Sequence, residues 1–369
     1  MSFRIPLSAP DISQAEIDAV TTVLRSPYLS LGPELQAFET ALAGYHNVPH
    51  AVAVSSGTAG LHIALVTLGI GPGHEVIVPS FAFIAVANAV LQSGATPVFA
   101  DIDPVSLNLD PLLVEEAVTL RTRAILVVHT FGVPAQMDLL RSIAERHNLV
   151  ILEDACEALG AELQGQRVGA FGDLSVFGFY PNKQLTTGEG GAVLARSADH
   201  AARLRSLRDQ GRAGTDWLDH AEPGYNYRLS ELACALGRSQ LTRLPQMLAL
   251  RTAAAEHYLA LLANIRGLEL PPSALPDRTV SWFVFVVRLA AHINRDHVQS
   301  ALAARGIATG RYFAPIHLQP AWRNHAGARV SLPVTEALAV RTLALPLFNR
   351  ITPQQQDEVV TALAETLLS

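Results

Sequence analysis

Between residues 50 and 195 the chain alternates short β-branched runs with Ala/Leu-rich segments, and this alternation constrains its fold more than any other feature. Candidate strands lie at 51–54, 75–78, 98–100, 124–128, 150–153, 174–177 and 192–195. Candidate helices separate the earlier ones, at 59–68, 85–92, 111–118 and 137–147. The strand runs are nearly continuous in apolar residues. Strands of that kind are buried on both faces, as happens when helices cover both sides of a mostly parallel sheet. The expected class is α/β.

From 229 to about 264 the pattern reads as one long helical stretch. Pro271, Pro272 and Pro276 then break the helical pattern. Beyond them come an apolar strand at 282–289, a helix near 295–305 and a terminal helix from Pro353, with Thr352 suited to cap it and the proline to its first turn. The expectation is a large domain at 1–245 and a smaller C-terminal α/β domain at 246–369. No internal repeat is visible.

Composition agrees. The 369 residues are 49% hydrophobic and 16% charged, enough for a large core and two domains. The net charge is −6 and no dense Lys/Arg run occurs, so no nucleic-acid partner is expected. The most apolar stretches are too short to span a bilayer, so no membrane partner is expected. Cys156 and Cys234 alone make no disulfide framework. The first ten residues, broken by Pro6 and Pro10, carry no basic-then-apolar leader. A cytoplasmic location is therefore expected.

Five stretches bear on chemistry. Ser55-Ser56-Gly57-Thr58-Ala59-Gly60 follows a strand and opens a helix. Free backbone N–H groups and small residues there suit a phosphate, or simply a capped helix with a glycine turn. Glu153-Asp154-Ala155-Cys156-Glu157 stands at a strand end, where ligands sit in open α/β sheets. An acid at that place pairs with a cationic ring nitrogen, binds a metal, or caps a helix. No His or Cys ligand spacing accompanies it, so no metal is expected.

The third stretch runs from Phe177 to Gly191. In it Tyr180-Pro181-Asn182-Lys183 precedes Thr187-Gly188-Glu189-Gly190-Gly191. A lysine drawn from water beside apolar strands becomes a nucleophilic amine, whereas an exposed lysine is the ordinary outcome. The crowded glycines point to backbone packed against something. Gly224-Tyr225-Asn226-Tyr227-Arg228 offers anion donors or a surface turn. Gly310-Arg311-Tyr312-Phe313-Ala314-Pro315-Ile316-His317 clusters an Arg, aromatics and a His, as a polar-substrate site or as structure.

Taken together and in this order, these stretches resemble the DegT/DnrJ/EryC1/StrS family of sugar aminotransferases, from about Pro27 to His317. Pro79-Ser80-Phe81-Ala82-Phe83 and Pro97-Val98-Phe99 with Asp101 and Asp103 add to the likeness. The resemblance implies a fold-type I pyridoxal 5'-phosphate (PLP) enzyme with a mostly parallel seven-stranded sheet and a smaller C-terminal domain. It implies a homodimer whose subunits share active sites. The function implied is transfer of an amino group from L-glutamate or glutamine to a nucleotide-linked keto-sugar, in amino-sugar or polysaccharide biosynthesis.

Residue by residue, the resemblance places the Schiff base on Lys183 and the partner of the pyridine nitrogen on Asp154. It places Gly57 and Thr58 on the phosphate and Phe83 on the ring face. Asn226 falls at the phosphate of the partner subunit's cofactor. Arg228, Tyr312 and His317 are the candidates for substrate. Two positions depart from the family. Glu157 stands where Gln or His is usual near the ring oxygen, and a carboxylate beside a phenolate is repulsive unless one is protonated. Gly178 stands where a phosphate-binding Ser is usual, so Ser175 or backbone amides are expected to replace it. A PLP-dependent sugar dehydratase and a non-catalytic regulatory protein of the same fold are the alternatives. The former relatives carry His for the lysine or an iron–sulfur cluster, which Lys183 and two cysteines disfavour.

Overall fold

A computed structural model of the chain describes residues 3–214, 218–272, 275–325, 327 and 329–368. Helices α1 (Gln14–Leu24) and α2 (Pro33–His46) precede the first strand. The alternation then runs β1 (His50–Val54), α3 (Gly57–Thr67), β2 (Glu75–Pro79), α4 (Ala85–Gln92), β3 (Thr96–Ala100), α5 (Pro111–Glu116), β4 (Thr122–Val128), α6 (Met137–His147) and β5 (Val150–Asp154). A hairpin of β6 (Glu162–Leu163) and β7 (Gln166–Arg167) leads to β8 (Leu174–Gly178), β9 (Gly191–Ala195), α7 (Ala198–Arg208) and α8 (Glu231–Leu262).

Seven strands form the central sheet in the order β1-β9-β8-β5-β4-β2-β3. Strand β9 is antiparallel to both of its neighbours, and every other pair is parallel. All strands but β9 therefore point the same way, and their carboxyl ends share one edge. Alternate residues enter different cores. Val52, Val54, Leu126 and Leu152 pack on one face with Leu61 and Ile63 of α3. On the other face Ala51 and Ala53 pack with Phe38 of α2, and Ile125, Val127 and Ile151 with Leu140 of α6. This double burial is why the runs read as continuous apolar segments; each large side chain fully buried contributes about 1.5–3 kcal/mol.

The remaining elements are β10 (Leu268–Glu269), β11 (Arg278–Thr279), β12 (Phe285–Leu289), α9 (Arg295–Ala304), α10 (Pro333–Ala339), β13 (Thr342–Leu345) and α11 (Pro353–Leu368). Strands β10, β12 and β13 make an antiparallel three-stranded sheet, while β11 extends the β6–β7 hairpin. The strand expected at 282–289 is shorter, because Trp282, Phe283 and Val284 leave the ladder while staying buried. Thr352 Oγ1 accepts from the Gln355 N–H at 3.2 Å and the Gln355 side chain accepts from the Thr352 N–H at 2.9 Å, so α11 starts with a reciprocal cap.

Helix α8 runs straight through residue 245, where Pro245 lies inside it. Its Cys234, Leu241, Leu244 and Met247 belong to the core beside the large sheet. Its Ala254, Ala255, Tyr258 and Leu262 belong to the C-terminal core, which also takes in Ile5. The change of core along the helix falls between Met247 and Ala254.

Candidate active site

The shared edge of the sheet gathers the turns after β1, β2, β5 and β8. After β1, Ser56 Oγ accepts from the Ala59 N–H at 3.1 Å and caps α3. Gly57 and Thr58 are the first helical residues, and their N–H groups have no partner within the helix. Both residues line a cavity of about 430 Å³, within the range of small-molecule sites. The cavity is also lined by Phe83, Asp154, Cys156, Glu157, Gly178, Lys183 and Tyr312.

Lys183 enters this space on the loop after β8. Its Nζ lies 3.7 Å from Glu157 Oε1 and 4.0 Å from the centre of the Phe283 ring, with the side chain 15% exposed. Asp154 ends β5, and its Oδ1 accepts from the Cys156 N–H at 3.0 Å. Glu157 Oε2 accepts from the Phe131 N–H at 2.9 Å. Burial pushes the Glu157 carboxyl above the usual carboxylate range; Lys183 and the Phe131 N–H oppose this, and Asp154 adds to it. Burial raises the Tyr312 phenol too, and the facing Glu157 charge adds to the rise.

A buried acid behind the cavity fixes the loops. Glu153 Oε2 accepts from His129 Nε2 at 2.9 Å and from the Gly169 N–H at 2.8 Å. Its Oε1 accepts from the N–H groups of Phe171 and Gly172 and from Ser175 Oγ. Burial opposes ionisation of Glu153, but the His129 bond and these backbone bonds outweigh it and hold the group at about 2. His129 Nδ1 accepts from the Ala135 N–H at 3.0 Å, which makes Nε2 the donor to Glu153.

The cavity fits pyridoxal phosphate. It holds one primary amine, an acid at a strand end, an aromatic ring at its mouth (Phe83, 63% exposed) and a helix start with free N–H groups. Beside that helix start is a glycine cradle. A Cβ on Gly57 would lie 2.9 Å from Cys156 Sγ, and one on Gly191 would lie 2.8 Å from the Gly57 nitrogen. The Asn182 Oδ1, on a residue that lines the same cavity, is buried without a partner. Among the described residues, no cluster of three or more His, Cys, Asp or Glu could hold a metal.

Of the expected site residues, Gly57, Thr58, Phe83, Asp154, Glu157, Lys183 and Tyr312 come together. Ser175 does not. The residue is 1% exposed, its hydroxyl donates to the Glu153 carboxylate, and it does not line the cavity. His317 does not line the cavity either. Its Nδ1 meets Ser80 Oγ at 2.6 Å and its Nε2 meets Glu336 at 3.3 Å, tying β2 to α10 from a fully buried position. Arg228 is paired with Asp209 at 2.7 Å, and Asn226 is exposed on the bridge to the same Asp209; neither lines this chain's own cavity. Cys156 and Phe283 line the cavity without having been singled out for it. Nothing in the local pattern of Phe283 marks it, because it reaches Lys183 from the C-terminal unit.

The model of the DegT/DnrJ/EryC1/StrS aminotransferase family matches residues 10–364. The chain is 44% identical to dTDP-3-amino-3,4,6-trideoxy-alpha-D-glucose transaminase of Streptomyces venezuelae over 95% of its length and 92% of that protein. It is 40% identical to GDP-perosamine synthase of Caulobacter vibrioides over 99% of both chains. Its fold superposes on S. venezuelae DesV in complex with a ketimine intermediate with a TM-score of 0.92, at 42% identity and covering 99% of this chain and 98% of that one.

Proposed function

The chain belongs to the DegT/DnrJ/EryC1/StrS aminotransferase family, and from that premise we propose that Lys183, Asp154 and Glu157 carry its amino-transfer chemistry toward a nucleotide-linked keto-sugar. It is a PLP-dependent sugar aminotransferase. The observation that carries the residue assignment is the meeting of Lys183, two buried acids and the open start of α3 in one cavity.

PLP, when bound, supplies an electron sink for a carbanion at the carbon that gains or loses nitrogen. The protein supplies position and charge. Gly57 and Thr58 would hold the phosphate on their N–H groups and the Thr58 hydroxyl. Asp154, at the end of β5, would pair with the pyridine nitrogen and favour its protonated form. Phe83 covers one face of the ring. Lys183 Nζ would anchor the cofactor, and its amine would serve as the group that holds and moves a proton at the reacting carbon. Glu157 lies near enough to orient that amine. Tyr312 lines the entrance where an acceptor would sit.

Transaminases work in two halves: an amino donor leaves its nitrogen on the enzyme, and an acceptor collects it. L-Glutamate is the donor we propose, glutamine the second choice. The acceptor class is that of the two relatives, whose names specify dTDP- and GDP-linked amino sugars. A homodimer with shared sites accounts for Asn226, which is exposed and does not line its own cavity, by placing it at the partner's cofactor. Among the described residues no helix is long and apolar enough to cross a membrane, and a cytoplasmic location is part of the proposal.

The test is a panel of nucleotide-linked 3-keto and 4-keto sugars with L-glutamate, tracking 2-oxoglutarate release and the aminated product. Amine formation on one member is expected. Amination of small keto acids alone would overturn the acceptor assignment.

A further inference from the structure

Three residues meet at the end of the cavity beside the start of α3. A Cβ on Gly178 would lie 3.2 Å from Cys156 Sγ and 3.4 Å from Cys156 Cβ. A Cβ on Gly57 would lie 2.9 Å from the same sulfur and 3.4 Å from Gly178 Cα. A side chain at residue 178 would therefore press against the sulfur, which would have to give by a few tenths of an ångström. The sulfur is not at the end of a long flexible chain. The Cys156 N–H is held by Asp154 Oδ1 at 3.0 Å, and the sulfur sits 3.8 Å from the Val176 carbonyl oxygen.

Position 178 is one of the two departures from the family pattern, and the expected substitute, Ser175, is engaged elsewhere by Glu153. We propose that Cys156 takes the place of a residue-178 side chain at the phosphate end of the cofactor site. Its sulfur walls the pocket there, crowds any side chain at residue 178 and leaves the phosphate to the Gly57 and Thr58 N–H groups and the Thr58 hydroxyl. The chemistry is compatible. Burial, with the Asp154 carboxylate beside it, keeps the thiol well above its ordinary pKa, so it meets a dianion as a neutral group. Serine at 178 and cysteine at 156 are then alternatives, each filling the space the other requires. Without the sulfur, the nearest neighbour of a Cβ at 178 is Cys156 Cβ at 3.4 Å, an ordinary contact.

This inference relies on the start of α3 being the phosphate end. The experiment titrates cofactor-free protein with PLP and, separately, with pyridoxal, which lacks the phosphate. Binding is monitored by absorbance, and thermal unfolding of the free proteins is recorded alongside. The proteins are wild type, G178S, C156A, the C156A/G178S double variant and T58V.

Overpacking at 178 is expected to weaken PLP binding by about tenfold or more in G178S while leaving pyridoxal binding little changed. The double variant should return to within about threefold of wild type, a coupling that independent sites do not show. Should G178S aggregate, recovery of soluble, PLP-binding protein in the double variant reads the same coupling. G178S binding PLP as tightly as wild type, additive effects of the two changes, or a double variant that does not recover would each overturn the proposal. T58V separates the premise from the inference. If it lowers PLP binding but the cycle is additive, only the role of Cys156 falls. If it leaves the preference for PLP over pyridoxal untouched, the phosphate end itself is misplaced.

Discussion

Glu157 Oε1 lies 3.7 Å from Lys183 Nζ, on the floor of a cavity that also holds Asp154. Two acids face one amine. Burial lifts the Glu157 carboxyl above the usual carboxylate range even with Lys183 opposing it. A carboxyl raised in the folded state favours folding below its unfolded pKa and loses that contribution as pH rises through the folded value. The group therefore changes charge at a pH where ordinary surface acids are already ionised. The acid limb of kcat/KM should carry this ionisation. Glu157→Gln keeps the hydrogen bond from the Phe131 N–H and removes the titration, so the limb should move to lower pH or flatten. An acid limb identical in the two proteins would show that Glu157 takes no part.

Glu153 behaves in the opposite sense. Its folded pKa of about 2 lies below the ordinary 4.5. Its contribution to stability is present above the unfolded value and is lost as pH falls from about 4.5 toward 2. The difference corresponds to about 3 kcal/mol. Glu153→Gln is not conservative here. Five donors converge on its two oxygens, and an amide NH2 would face some of them donor to donor. The variant should be less stable by about that amount at pH 7, with the gap closing toward pH 3. Denaturant unfolding at both pH values measures it, and a pH-independent gap would contradict the linkage.

The central sheet was legible because its strands are buried on both faces, so continuous apolar runs marked them. Lys183, Asp154 and the Gly57–Thr58 turn were legible because each stands at a strand end, and the edge where strand ends meet is set by parallel pairing. Side chains whose role depends on approach from elsewhere were not. Phe283 reaches Lys183 from a segment that reads as ordinary strand. Proximity in sequence does not reveal the setting of Ser175: β8 pairs with β5 so that Ser175 stands opposite Glu153, not Asp154, and two-residue alternation puts its hydroxyl on the Glu153 side. The cluster around His317 looked like a substrate site because sequence does not reveal that both ring nitrogens are already occupied. Helix α8 hid the change of core, since a helix that passes from one core to another keeps its period throughout.

His317 offers a direct check on its structural role. Its ring is fully buried and links Ser80 at the end of β2 to Glu336 on α10. His317→Phe fills similar space but leaves Ser80 and Glu336 without that partner. Loss of such buried hydrogen bonds costs about 1–3 kcal/mol. Stability should fall by that amount, while KM for the sugar acceptor stays within a small factor of wild type. A large rise in KM with unchanged stability would return His317 to the substrate site.

Lys183 can be dissected by separating its charge from its nucleophilicity. Lys183→Ala removes both, and leaves Asp154 and Glu157 facing a cavity with no other cationic side chain among the described residues. Lys183→Arg keeps a positive group that remains protonated at any working pH, so it pairs with acids but cannot act as an amine nucleophile. Both variants should lose turnover and the visible absorption that marks a lysine-bound cofactor. They should differ in the protein alone. With Arg in place, the Glu157 carboxyl still has a partner, and the cofactor-free variant should hold its thermal stability near wild type across pH 6–9. With Ala, stability should decline with rising pH, because ionisation of the buried Glu157 is then unopposed. Visible spectra with PLP and thermal unfolding without it decide the two questions separately. Normal transamination by either variant would remove Lys183 from the reaction.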